Sequence, residues 1–154
     1  MKNKTAIFMM GLPAAGKSTY VASTFTTFNV IDPDAIKATH PDYNPKDPTP
    51  LHAWSKAESE RLLDEAYQAE DNVIIDGTGT SAEKMVSRVN RAKALGYTTK
   101  LIFLKVSLET SLKRNAARER VVPTEVIVEK AETVSTAFEI VKQYVDSHEI
   151  VHND

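Results

Sequence analysis

The sequence predicts an α/β fold, a single sheet of mostly parallel strands covered by helices on both faces. Three observations carry that prediction. Apolar runs of strand length at 4–10, 29–31, 72–76 and 99–106 alternate with segments of helical period. A Gly-x-x-x-x-Gly-Lys-Ser motif, Gly11 to Ser18, joins the first apolar run to the first helical segment. Carboxylates follow the second and third runs directly, at Asp32-Pro33-Asp34 and at Asp76. In open α/β sheets that is the edge where ligands bind.

The elements follow in chain order. Lys4–Met10 is apolar at nearly every position, as a strand buried on both faces must be. A helix is expected over Lys17–Thr27, with mediocre propensity because it is rich in Thr and Phe, so packing has to hold it. Asn29–Ile31 is a short second strand that Pro33 terminates, and Asp34 is placed to open a helix over Ala35–Ala38. The prolines at 41, 45, 48 and 50 mark a loop. Leu51–Glu70 is a helix with Trp54, Ala57, Leu62, Ala66 and Ala69 at near-helical spacing, Trp54 being assigned to the core with Phe25, Phe103 and Phe138. Asn72–Asp76 is the third strand. Ser81 caps a helix to Leu95 that Gly96 closes. Thr99–Val106 is the fourth strand and Leu108–Glu119 a basic helix. Pro123 is placed in the first turn of the last helix, and Glu149–Val151 is a fifth strand.

The 154 residues suit one domain, 1–154, with room for a sizeable core. A net charge of −2 gives no broad basic field of the kind that nonspecific nucleic-acid binding needs. There is no cysteine, which removes disulfides, thiolate metal sites and a cysteine nucleophile. Gly11 and Pro13 interrupt the N-terminal apolar run, so a signal peptide is not expected, and no apolar stretch approaches the about 20 residues of a membrane span. The expected location is the cytoplasm, without membrane contact.

The glycine motif has a direct physical reading. Gly11 and Gly16 let backbone wrap around phosphate oxygens, and the N–H groups of Ala14, Ala15, Gly16, Lys17, Ser18 and Thr19 point at an anion at the positive end of a helix. Lys17 reaches the β- and γ-phosphates, and the Ser18 hydroxyl can ligate Mg²⁺. The expected ligand is a Mg²⁺-bound nucleoside triphosphate, ATP or GTP. The Asn-Lys-x-Asp sequence that reads guanine in GTPases is absent, and the chain is short for a motor or transporter ATPase. A small phosphotransferase of the P-loop kinase fold, in three layers and with a helical lid over about 112–123, is what remains.

Phosphoryl transfer to a hydroxyl needs a carboxylate to take the proton, and Asp34 is the candidate base. Asp76 either holds Mg²⁺ or hydrogen-bonds the acceptor together with Thr78. In the run 113–120, Arg114 and Arg118 lie four apart on one helix face, and with Arg120 they are candidates to neutralise the transferring group. The four histidines show no metal-ligand spacing; His52 and Trp54 have a secondary reading as acceptor-lining residues.

Taken together, these residues resemble the zeta-toxin-like and polynucleotide-kinase-like branch of the P-loop kinases over nearly the whole length. Gly11–Thr19 is similar to its Walker A loop. Val30-Ile31-Asp32-Pro33-Asp34-Ala35-Ile36-Lys37 resembles the zeta-toxin segment whose second Asp is the base, which brings Asp32 and Lys37 to the acceptor side. Asp76-Gly77-Thr78-Gly79 resembles the zeta-type strand end that contacts the acceptor, and the run around Arg118 is closer to polynucleotide 5′-kinases. The resemblance implies phosphorylation of a hydroxyl: UDP-N-acetylglucosamine on the zeta side, where an antitoxin protein is an implied partner, or a nucleic-acid 5′-hydroxyl on the other. A nucleotide-dependent binding or switch module without useful turnover is the alternative from another class.

Overall fold

The computed structural model describes residues 4–12, 15–47, 49–77, 81–117 and 122–154. Its strands are β1 (Thr5–Met10), β2 (Asn29–Ile31), β3 (Val73–Ile75), β4 (Thr98–Lys105) and β5 (Ser147–His152). Its helices are α1 (Lys17–Thr24), α2 (Pro33–Lys37), α3 (His52–Gln68), α4 (Ala82–Ala94), α5 (Leu108–Ala116) and α6 (Thr124–Val141). The strands form one sheet in the order β2-β3-β1-β4-β5, parallel at every ladder.

Alternation along the central strands divides the interior into two cores. Ala6, Phe8 and Met10 of β1 point to one face with Val73, Ile75, Leu101 and Phe103, where Leu63, Val89, Val134 and Phe138 from α3, α4 and α6 cover them. Ile7 and Met9 point to the other face with Ile74, Ile102 and Leu104, under Val21 of α1 and the flanking Phe25 and Phe28. Burial on both faces explains why the strands read as continuous apolar runs. β5 is largely exposed and carries the Lys100–Glu149 ion pair at 3.0 Å, a charged edge of the kind that discourages further strand pairing. Among the described residues, no helix is long and apolar enough to cross a membrane.

Several sequence expectations need correction. Trp54 is exposed rather than core and stacks edge-on against His40 at 4.7 Å between ring centroids. The buried positions of α3 are Ser55, Ser59, Leu63, Ala66 and Tyr67, the two serines being satisfied by backbone carbonyls one turn earlier. Helix α1 ends at Thr24, three residues short of expectation, where Phe25 leaves the helical region at φ −123°. Helix α2 begins at Pro33, not Ala35, because the fixed φ of proline suits a first helical position; Asp32 then becomes the N-cap. Pro123 precedes α6 instead of entering its first turn.

The ladders bring the carboxyl ends of the strands to one edge. Ile31 of β2 is paired with Ile75 of β3, and Ile75 in turn with Phe8 of β1. Asp32 and Asp76 each follow a member of the first pair, so they leave the sheet side by side. A hydrogen bond from Asp76 N–H to the Ile31 carbonyl, 2.9 Å, extends the ladder by that step.

Candidate active site

The loop after β1 is shaped by two close approaches. A Cβ on Gly11 would stand 2.7 Å from the Leu104 carbonyl oxygen of β4, too close for any side chain. Gly16 has φ 93°, the left-handed region, at the N-cap of α1. Helix α1 has no side-chain cap, so its first N–H groups are left to the loop, the arrangement of an anion-binding turn. The Lys17 ammonium donates to the carbonyls of Gly11 and Leu12, each at 3.3 Å, closing the loop from within. Ala15 is buried, whereas Ser18 and Thr19 are exposed at the start of α1. Ala14 lies outside the described residues.

The far end of the chain braces this loop. Asn153, just beyond β5, donates its side-chain amide to the Ala15 carbonyl at 2.8 Å. Its backbone N–H reaches the Lys105 carbonyl at 2.9 Å. Arg114 of α5 donates to the Asn153 carbonyl at 2.8 Å and to the Ala15 carbonyl at 3.4 Å. Arg114 therefore touches the loop from behind its carbonyls, a bracing contact that the sequence reading did not foresee. Arg118 and Arg120 lie outside the described residues, with the rest of 118–121 in the expected lid. At its base, the Asn115 side chain makes both amide hydrogen bonds with the backbone of Val122, at 2.7 and 3.0 Å, joining α5 to α6.

Opposite the loop stand the carboxylates. Asp32 caps α2 by accepting from Asp34 N–H at 3.0 Å. Capping thus falls to Asp32, and Asp34 sits exposed in the first turn. Burial raises the Asp32 pKa; the neighbouring Asp34 adds to the rise, and its two backbone hydrogen bonds and Lys17 oppose it. Asp76 is buried and its pKa is pushed up to about 6, first by burial; the charge of Lys17 opposes the shift, while Asp32 and Asp34 add to it. Lys17 and the three carboxylates are therefore one electrostatic unit. The Oδ1 atom of Asp76 is buried with no hydrogen-bond partner among the described residues. Such an orphan acceptor fits a cation arriving with the ligand, and Ser18 with Asp76 is the pair that would hold Mg²⁺. Thr78 is outside the described residues.

Lys37, expected on the acceptor side, is buried and contacts His52 Nδ1. His52, exposed at the start of α3, lines with Asp34, Lys37, Ser59, Arg88 and Lys130 a cleft of about 360 Å³. A second cleft, about 270 Å³, is lined by Asp76, Ser81, Lys84, Arg88 and Lys130. Lys84, Arg88, Lys130 and Asn153 are the site residues that sequence reasoning missed; on paper the first three are indistinguishable from a solvated helix face.

Comparison with known proteins fits this geometry. The AAA_33 family, described as an AAA domain, matches residues 7–140. L-seryl-tRNA(Sec) kinase of Methanococcus maripaludis is 28% identical over 142 residues, 86% of this chain and 54% of that protein. Toxin zeta of Streptococcus pyogenes is 29% identical over 121 residues, 69% of this chain and 41% of the toxin. The chain thus spans about half the length of the curated relatives it matches. Among solved structures, the PezAT chromosomal toxin–antitoxin system of Streptococcus pneumoniae superposes with a TM-score of 0.76 at 18% identity, covering 100% of this chain and 70% of that one. At that identity the likeness speaks to the fold.

Two predictions follow from the geometry. Removing the amide in Asn153→Ala should weaken triphosphate binding severalfold while thermal unfolding changes little, because it frees a loop carbonyl and leaves both cores intact; unchanged affinity by calorimetry would make the brace irrelevant. The second concerns pH. The raised pKa means that folded Asp76 holds its proton more tightly than the unfolded chain, whose ordinary value is 3.8, so the stability it contributes is complete below about pH 4 and lost as pH rises through about 6. Asp76→Asn should therefore stabilise the ligand-free protein by about 2–3 kcal/mol at pH 8 and by little at pH 4. Denaturant titration at the two pH values reads the difference, and a gain of equal size at both would contradict the assignment.

Proposed function

The chain belongs to the AAA_33 family of P-loop domains, and from that premise we propose that it transfers the γ-phosphoryl group of Mg²⁺-bound ATP or GTP to an alcohol. The observation that carries the proposal is the convergence of Lys17, Asp32, Asp34 and Asp76 on one strand edge beside the Gly11–Ser18 loop. Loop N–H groups hold the β- and γ-phosphates, and Lys17 moves from the Gly11 and Leu12 carbonyls onto those oxygens. Ser18 and Asp76 would hold the cation, which would supply positive charge against that developing on the phosphates.

Asp34 orients the acceptor hydroxyl and takes its proton as the oxygen attacks the γ-phosphorus. The bond from that phosphorus to the β–γ bridging oxygen breaks, and the nucleoside diphosphate leaves. Arg118, helped by Arg120, neutralises the equatorial oxygens from the lid, and Arg114 holds the loop in register from behind. Asp32 and Lys37 shape the acceptor side by fixing α2, Asp32 as its cap and Lys37 through His52.

On the acceptor, the resemblance of the Asp32–Lys37 and Asp76–Thr78 segments to zeta toxins favours UDP-N-acetylglucosamine or a related small molecule. A protein partner of the antitoxin type belongs to the same reading, and PezAT, with its antitoxin, is the likeness that motivates it. A nucleic-acid 5′-hydroxyl is the second reading, favoured by the arginine run at 114–120.

The test is transfer of label from γ-labelled ATP to UDP-N-acetylglucosamine and to a 5′-hydroxyl oligonucleotide, side by side. Asp34→Asn should keep nucleotide affinity near that of the parent and lower transfer by about 10²–10⁴-fold. Transfer that survives the substitution would move the base elsewhere. Nucleotide binding without transfer to either acceptor or to any compound of a cell extract would instead support a switch module.

A further inference from the structure

The two clefts beyond the carboxylates share a wall. Arg88 of α4 and Lys130 of α6 line both, so the clefts adjoin, one reaching Asp76 and the other Asp34, with these cations in the wall between them. Lys84, one turn before Arg88 on α4, opens onto the first cleft, and Lys37 and Lys56 onto the second. Five cations (Lys37, Lys56, Lys84, Arg88 and Lys130) thus face three carboxylates (Asp34, Glu60 and Asp76). The molecule as a whole carries a charge of −2, so this excess is local.

The cations of α4 also divide by partner. Arg91 is committed to α3, where it pairs with Asp64 and reaches Glu60 at 3.6 Å. Arg88 meets Glu60 only at 3.9 Å, beyond hydrogen-bond distance, and no ion pair joins Lys84 to any described residue. Arginine's planar fork matches the oxygens of a phosphate, and flanking ammonium groups add charge without demanding geometry.

We infer that the acceptor carries a phosphate group of its own, held by Arg88 with Lys84 and Lys130, while its free hydroxyl is presented to Asp34. The inference rests on the kinase reading above and names the substrate class within it: a small phosphorylated alcohol. Phosphate at one end and hydroxyl at the other would fix both position and direction in the cleft, which is what in-line transfer requires. Cleft volumes of about 360 and 270 Å³ are of small-ligand size. A nucleic-acid strand would instead call for a continuous basic track, and the net charge of the chain does not favour one.

The experiment uses the full chain, loaded with a saturating nonhydrolysable ATP analogue and Mg²⁺, with inorganic phosphate titrated in by calorimetry. Nucleotide uptake in the first step tests the kinase reading separately; a chain that takes up no analogue overturns both. With the loop filled, phosphate should occupy one further site, and its affinity should fall about tenfold or more in Arg88→Gln and again in Lys84→Gln, with analogue affinity unchanged in each. Lys84→Gln guards against the loose Arg88–Glu60 contact being structural, since Lys84 pairs with no described residue. Analogue uptake with no further phosphate site, or a site that neither substitution weakens, overturns the inference alone. So does an oligonucleotide that binds through these residues with a steep loss of affinity in salt.

Discussion

The parallel register of the sheet is the constraint on which the rest of the molecule depends. With β1 at the centre and every ladder parallel, strands can leave their chemistry at only one edge. The Ile31–Ile75 pairing puts Asp32 next to Asp76, and the neighbouring Phe8–Ile75 pairing brings the loop that begins at Gly11 over both. A slip of one residue would turn the two-faced alternation of β1 inside out and separate the carboxylates together with it. The cores defend that register: Phe8, Met9, Met10, Ile74, Leu101 and Ile102 are among the largest fully buried side chains.

What the register assembles is an electrostatic arrangement that is poorly satisfied without a ligand. A buried carboxyl such as Asp76, with one oxygen unpaired among the described residues, is costly to keep charged. Lys17 offsets part of that cost, yet it is also the group that a triphosphate would draw away. Phosphates and cation entering together would replace this poorly compensated set of charges with a better compensated one, which makes the ligand-free arrangement readily displaced. The Asn153 and Arg114 contacts then have a clear role, because a loop that loses the internal grip of Lys17 still has Ala15 held from outside.

Much of this was legible in the sequence, for reasons that differ by residue. The Gly11–Ser18 loop could be read because its mechanics are local: each residue type is demanded by backbone approach, charge or helix polarity within eight positions. The strands could be read because burial on both faces leaves an unbroken apolar run. Trp54 was misplaced because α3 buries Ser55 and Ser59 and leaves the tryptophan outside, a pattern that hydrophobic periodicity inverts. Asn153 was invisible for another reason. Its partner Ala15 lies 138 residues away, and neither belongs to a pattern that links them. Arg88 and Lys130 sit on helices whose other charges are solvated, and only the closure of α4 and α6 over the sheet separates them from their neighbours.

As a triphosphate cradle, the loop would have Lys17 bind the phosphates, its present contacts with Gly11 and Leu12 holding the place they would take. The most direct measurement is calorimetric affinity for Mg²⁺-ATP in the parent chain and in Lys17→Ala, with denaturant stability recorded for both. Measurable binding is expected in the parent and a loss of about tenfold or more in a variant that still unfolds cooperatively. Equal affinity in the two proteins would contradict this role of Lys17.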